Sequence, residues 1–401
     1  MKSFLLIIFR LLYLPIWWLI GLFPRDENTW IFSSWFGEKY TDNSRVFFEW
    51  LQKNNNGKKI YWITRKTDLV EVLNKKGYFA VLESSFKAKR LMLRASQVFT
   101  SNGYDIDFKL GNGSSYIMLW HGMPLKKICR DDTNSGGART KNKLIGLYRN
   151  IYKRIFPWTS AFESYKNRYT VTNSDFFTSF LSSAFGMQKE RILKSGSPRC
   201  DALFYMKKET LIEDIHNKFP DCKIIFYMPT FRTSSWTKKA FNPFSEEFLF
   251  DFDKFCSCLE KNNIVFIYKP HPVDLLYMKD KLKSNRIFTI SDDDFDELYN
   301  FTGQTDILMT DYSSIYFDFI CTKRPVILAP FDFNEYVSNC RSHYFDYSLL
   351  EGIKAENWND VISVIENKTY YPVSEKTVNL FAEYTDGKSC QKLLDYLREI
   401  S

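Results

Sequence analysis

The sequence predicts an α/β protein built from two doubly wound halves behind an N-terminal apolar helix. Short apolar runs alternate with amphipathic stretches, the pattern of parallel strands joined by crossover helices. That alternation restarts after residue 200. A chain of 401 residues also exceeds the length at which one hydrophobic core keeps growing, so two domains are the default. The boundaries read as residues 1–24 for a membrane-associating helix, 25–200 for a first domain, and 201–401 for a second domain with a terminal helix. The break falls near GSPRCDALF.

Residues 3–23, SFLLIIFRLLYLPIWWLIGLF, are apolar apart from Arg10 and include Pro15, Trp17 and Trp18. Three placements are open: a spanning helix, a helix lying in the membrane interface, and a buried core helix. A central Arg costs a spanning helix roughly 2.5 to 3.5 kcal/mol, and Pro15 interrupts its hydrogen bonds. An interfacial helix lets Arg10 snorkel and sets the Trp pair at headgroup depth. Lys2, Arg10 and Arg25 favour an anionic leaflet, so the expectation is a monotopic, peripheral helix. No small-residue cleavage site follows it. The eight cysteines show neither a CxxC pair nor zinc spacing, which fits free thiols at the cytoplasmic face of a cell membrane.

In the first half, strands are expected at TWIFSSWF, KIYWITR, YFAVLE, SQVFTS, SYIMLWHG and YTVTNS, with a helix in SRVFFEWLQKN. TSNGYDIDFKLGNGSSY, rich in Gly, Asn and Ser, reads as a surface loop. The second half offers a helix in LFYMKKETLIEDIHNKF and the strand KIIFYMPT. A helix in EEFLFDFDKFCSCLEKNN and the strands IVFIYKP, DILMT and RPVILAP follow. The tail AEYTDGKSCQKLLDYLREI reads as a terminal helix that returns across the first half.

Hydrophobic content of 45% excludes a disordered chain. A net charge of +8 spread along the sequence favours an anion-binding site over a nucleic-acid stripe, so no nucleic-acid partner is expected. The absence of GxxxxGK[ST] argues against a Walker-type NTPase, no GxSxG elbow occurs, and GNG at 111–113 is too short for a dinucleotide fingerprint. SDDDFDEL at 291–298 reads as acidic caps at a helix start rather than a metal site.

Ligands of open parallel sheets bind beyond the carboxyl ends of the strands. The residues there share one chemistry: IMLW runs into His121, KIIFYMP into Thr230, Phe231 and Arg232, IVFIY into Lys269, Pro270 and His271, and DILMT into Asp311, Tyr312, Ser313 and Ser314. Cations and hydroxyls at four strand ends in two halves point to a phosphate-bearing ligand. Each has a plainer alternative. His121 could be a structural histidine, Ser313 and Ser314 ordinary helix caps, and Pro-bracketed His271 a rigid turn. Arg232, and Arg199 in GSPRCD, could sit in salt bridges rather than present a phosphate fork. Asp318, one turn beyond Ser314, could face the same pocket and accept from ligand hydroxyls.

Taken together, WHGMPLKK, GMQKERILKSGSPRCD, MPTFR, YKPHP and TDYSSIYFD occur in the order found in the CDP-glycerol glycerophosphotransferase family of teichoic-acid primases and polymerases. FGEKYTDNSRVFFEWL also resembles that family's opening element. The resemblance spans roughly residues 30 to 350. It implies a GT-B-like architecture of two Rossmann-like domains, the first for the acceptor and the second for the donor. It also implies a CDP-glycerol donor and an undecaprenyl-diphosphate-linked glycan acceptor at the membrane surface. By that resemblance His121 and His271 are the catalytic histidines, and Thr230, Phe231, Arg232, Lys269, Ser313, Ser314 and Asp318, with Pro198 and Arg199, bind substrate. No tightly bound cofactor is implied, and free Mg²⁺ remains open. The segment CRSHYFDY departs from the family pattern at Ser342 and His343, and LLEGIKAEN replaces its usual Pro-Gly-Pro. CDP-ribitol is therefore the alternative donor. A GT-B glycosyltransferase using a nucleotide sugar and a non-catalytic membrane scaffold are the rival functions.

Overall fold

The computed structural model describes residues 2–54, 57–132, 143–205, 207–230, 241–270, 282, 284–339 and 342–400. Two parallel sheets organise the chain. The first joins β1 (Asp26–Phe32), β2 (Lys59–Thr64), β3 (Ala80–Leu82), β4 (Ala95–Thr100), β5 (Ser115–Met118), β6 (Arg168–Val171) and β7 (Ile192–Leu193) in the order β3-β2-β1-β4-β5-β6-β7. The second joins β8 (Lys223–Tyr227), β9 (Ile264–Tyr268), β10 (Ile287–Thr289), β11 (Ile307–Thr310), β12 (Val326–Leu328) and β13 (Ile353–Lys354) in the order β10-β9-β8-β11-β12-β13. Ladder by ladder, the strands pair in parallel.

Each sheet grows outward from its first strand and then reverses, between β1 and β4 in the first and between β8 and β11 in the second. Such switch points open a crevice at the strands' carboxyl ends. Central strands such as IVFIY in β9 are buried along their whole length, because helices cover both faces of the sheet.

All ten expected strands form. The sequence missed β7, β10 and β13, which have two or three residues and lie at sheet edges. The expected strand TWIFSSWF stops at Phe32, where Trp35–Gly37 turns through a short 3-10 helix with Trp35 and Phe36 at positive φ. The expected helix LFYMKKETLIEDIHNKF forms over Thr210–Lys218.

One further expectation is corrected. TSNGYDIDFKLGNGSSY is no surface loop: Ser101, Asp105, Ile106, Phe108 and Ser114 are buried. The Asp105 carboxylate accepts backbone N–H groups from Phe36, Ser101 and Asn102, which allows an irregular segment to be buried. The helix expected after Ser314 forms, as Ile315–Phe319 followed by a 3-10 turn at Ile320–Thr322.

The N-terminal helix, Lys2–Gly21, lies against the first sheet's lobe. Trp17 is buried against Phe108, Trp158 and Tyr165, and Asn112 donates to its carbonyl. The opposite face exposes Leu5, Phe9, Leu12, Trp18 and Leu19. Among the described residues no helix is long and apolar enough to cross a membrane. The terminal helix, Ser389–Glu399, returns to the first sheet, where Cys390, Leu393, Leu394 and Leu397 share a core with Trp30, Phe32 and Phe47.

Candidate functional site

His121 follows β5 at the rim of the first crevice. The chain reaches it through Trp120, whose φ of 57° is left-handed. For a bulky residue this costs about 1–3 kcal/mol and persists only where neighbours enforce it. Those neighbours are visible. Asn43, fully buried at the start of the helix Asp42–Lys53, donates its side-chain amide to the carbonyls of Leu119 (3.2 Å) and Trp120 (2.9 Å). The imidazole lies 4.0 Å from the Trp120 ring and 5.8 Å from that of Trp35, centroid to centroid. Its Nδ1 is 3.4 Å from the Ser101 carbonyl, which can only accept. That contact favours the tautomer with hydrogen on Nδ1 and the lone pair on Nε2.

Gly122 brings this turn against the second half of the chain. With φ at 143° and no side chain, it sits where a Cβ would lie 2.7 Å from Ser314 Cβ and 3.2 Å from Arg199 Nη2. The histidine turn, the GSPRCD segment and the TDYSS segment therefore meet at one place.

Arg199 is the hub of that place. It is 3% exposed and begins its stretch of helix just after Pro198, itself buried at the first helical position. Its Nη1 donates to Asp42 Oδ1 (2.9 Å) and its Nη2 to Asp318 Oδ2 (2.6 Å), while the guanidinium lies 4.6 Å from the Tyr299 ring centroid. Burial works to lower its pKa, but Asp318, Tyr299 and Asp42 outweigh that and hold it well above the ordinary arginine value. Asp318, fully buried, also accepts from the Tyr299 hydroxyl (2.7 Å), Asn173 Nδ2 (3.3 Å) and the Cys200 thiol (3.4 Å). The ligand contacts expected of Arg199 and Asp318 are thus met in this structure by protein partners. Asp42, at φ 68°, adds a bond from Trp35 Nε1 (3.1 Å), so one carboxylate joins the histidine's ring neighbour to the arginine.

At the second switch point, Thr230 N–H donates to Asp311 Oδ1 (2.8 Å), tying the end of β8 to the end of β11. Ser313 and Ser314 are half-buried there, and Ser314 precedes the helix without a side-chain capping bond. Lys269, after β9, is 7% exposed and pairs with Asp292 (2.8 Å), which also binds Lys39 of the first half (2.9 Å). Burial would raise the Asp292 carboxyl, but Lys269 and Lys39 bring it down to about 2. Phe231, Arg232 and His271 lie outside the described residues. The described residues bring together His121, Pro198, Arg199, Ser314 and Asp318. Thr230 lies at the second switch point and Lys269 at the neighbouring strand end.

The acidic run 291–298 caps a helix, as expected, and also carries ion pairs to the first half. Asp292 joins Lys269 and Lys39, Asp296 takes Arg45, and Glu297 caps the helix Leu298–Thr302 through the Tyr299 and Asn300 N–H groups. Among the described residues no group of three or more His, Cys, Asp or Glu side chains is placed to hold a metal ion. The divergent segment around His343 lies across the other half: Lys127 donates to the Ser342 carbonyl, Tyr344 N–H to the Leu125 carbonyl, and the Tyr344 hydroxyl to Asp131. Sequence reasoning missed Asp42, Asn43 and Tyr299. TDN before an amphipathic helix looks like ordinary capping, and a lone Tyr in an apolar helix carries no signal.

The comparisons with known proteins agree on one family, and the relatives include both teichoic acid glycerol-phosphate and ribitol-phosphate polymerases. The family model described as CDP-Glycerol:Poly(glycerophosphate) glycerophosphotransferase matches residues 19–399. The chain is 27% identical to a teichoic acid poly(glycerol phosphate) polymerase of Bacillus spizizenii, over 99% of this chain and 100% of that protein. It is 26% identical to a teichoic acid glycerol-phosphate transferase of Staphylococcus aureus, over 92% of each chain. In fold it is similar to the wall teichoic acid polymerase TagF, with a TM-score of 0.71 at 21% identity over 94% of this chain and 90% of that one.

Proposed function

We propose, for a chain that belongs to the CDP-glycerol:poly(glycerophosphate) glycerophosphotransferase family, that His121 is the general base and the second sheet's strand ends hold the donor. The chain is a CDP-glycerol glycerophosphotransferase of teichoic-acid synthesis. In the reaction an acceptor hydroxyl attacks the β-phosphorus of CDP-glycerol, the bond to the bridging oxygen breaks, and CMP leaves. The hydroxyl proton passes to Nε2 of His121. Arg232, Lys269 and His271 balance the charge of the pyrophosphate and the departing CMP, Thr230, Ser313 and Ser314 donate hydrogen bonds, and Phe231 packs on the donor; such preorganised polarity is the largest usual source of rate in phosphoryl transfer. Arg199 and Asp318 contribute by locking the histidine turn to the TDYSS segment, and Pro198 by starting the helix that carries Arg199.

The observation that supports this reading is the close approach of Gly122, next to His121, to Ser314 and Arg199. The two domains divide near residue 200, with the acceptor on the first. That acceptor is a membrane-borne, undecaprenyl-diphosphate-linked glycan. The exposed apolar face of Lys2–Gly21 lies on the cytoplasmic leaflet, Trp18 at headgroup depth, while the buried face holds the catalytic lobe against it. In support, Arg10 sits 5.2 Å over the Tyr152 ring, which shelters the charge without a spanning path.

The test incubates the purified enzyme with CDP-glycerol, CDP-ribitol or UDP-sugars and a lipid-linked disaccharide, and measures released nucleotide for wild type and His121→Ala. CMP release from CDP-glycerol that falls about 10²–10⁴-fold in the variant is the expected result. Preference for CDP-ribitol would reassign the donor, and unchanged release by His121→Ala would end the role given to that histidine.

A further inference from the structure

The left-handed turn that aims His121 does not hold itself. Its two preceding carbonyls, on Leu119 and Trp120, both accept from Nδ2 of Asn43, at 3.2 and 2.9 Å. The other end of the same amide, Oδ1, accepts the Arg199 backbone N–H at 2.9 Å. Asn43 is fully buried, so water does not compete for these bonds. An amide is the one neutral side chain of this size that donates two hydrogen bonds from one end and accepts at the other. A carboxylate here would set negative oxygens against two carbonyls.

We propose that Asn43 is a positioning residue for the transfer reaction: its amide fixes the Leu119–Trp120 turn, and through it the aim of the His121 imidazole, relative to the Arg199 hub. The neighbouring Asp42 extends the same device. Its Oδ2 holds the Trp35 indole, whose ring lies beside His121, and its Oδ1 holds Arg199. Asn43 acts through the turn: when the turn shifts, so do the approach of Nε2 to the acceptor hydroxyl and the Nδ1 contact with the Ser101 carbonyl that tunes the imidazole. This inference rests on His121 being the base.

The experiment measures CMP release from CDP-glycerol with lipid-linked acceptor for Asn43→Ala and Asn43→Ser, across pH, alongside thermal melting. Val361→Ala, in the second sheet's core with Phe255 and Trp358, serves as a control that lowers stability away from the turn. The expected result is a kcat reduced roughly 10- to 100-fold, as for a small misplacement of a reacting group, with KM for CDP-glycerol unchanged within about threefold. The acidic limb of the pH–rate profile, which reports the base, should move in both Asn43 variants and stay put in Val361→Ala. A lowered melting temperature with unchanged kcat and an unmoved limb would overturn the proposal, as would a rise in KM that accounts for the whole loss. His121→Ala, run in parallel, separates the two readings: full activity there removes His121 as base, whereas its loss together with intact Asn43 variants removes Asn43 alone.

Discussion

Arg199 Nη2 lies 2.6 Å from Asp318 Oδ2, an ion pair with side chains 4% and 0% exposed that ties the end of the first half to a helix of the second. A pair this deep gains little over a well-packed apolar substitute, but breaking one side strands a buried charge.

Arg199→Ala should therefore destabilise the protein by about 3–5 kcal/mol, and Asp318→Asn should do so too. Denaturant unfolding at neutral pH checks this. Arg199→Lys should recover only part of the loss, because an ammonium cannot reach both Asp42 and Asp318 in the planar geometry of a guanidinium.

Gly122→Ala should cut activity more than it cuts stability. The added methyl would press on Ser314 where the two halves touch, at a backbone angle that L residues rarely adopt. On the proposed roles, separating the halves by even a fraction of an ångström would misalign His121 and the donor, so kcat is expected to fall by about 10-fold or more. Steady-state kinetics and a melting curve on the same sample distinguish this from simple unfolding.

Glu297 gives stability an unusual pH dependence. Burial pushes its carboxyl up to about 7, against the pull of the Tyr299 and Asn300 N–H groups and of Arg45. The folded state thus keeps its proton where the unfolded chain has lost it, and the group's contribution, full below pH 4.5, fades as pH rises through about 7. The window is worth about 3 kcal/mol. Glu297→Gln keeps the cap acceptor and cannot ionise, so it should match wild type near pH 4.5 and exceed it by up to that amount at pH 8. Unfolding curves across pH 4.5–8 compare the two, and other titrations cancel in the difference.

The N-terminal helix should bind anionic vesicles through its outer face. Leu12 and Leu19, 70% and 64% exposed, make no use of their apolar surface within the fold. Changing both to Glu should weaken vesicle co-sedimentation by about 10-fold or more while leaving the melting temperature within a degree or two, since each lost insertion forfeits roughly 1.5–3 kcal/mol. Trp17→Ala should do the reverse, loosening the helix from the lobe.

The sequence by itself determined the alternation of strands and helices, the restart after residue 200, and the chemistry at the strand ends. These are local matters: an apolar run with period-two or buried-strand character ends where polar residues begin, and IMLW-His121 or DILMT-Asp311 can be read without knowing what lies opposite. Edge strands β7, β10 and β13 were missed, whereas the equally short β3 and β12 were legible because their apolar runs, YFAVLE and RPVILAP, extend past the paired residues. What only the tertiary structure decided is which charges meet. Arg199 and Asp318 looked like ligand contacts, yet across 119 positions of chain they meet each other, with Asp42 and Tyr299 closing the network. TDN looked like a helix cap, and folding carries its Asn43 to a turn 76 and 77 residues away. A hydrogen bond or ion pair depends on positions fixed to tenths of an ångström, and side-chain identity along the chain does not encode them until both sheets are in place.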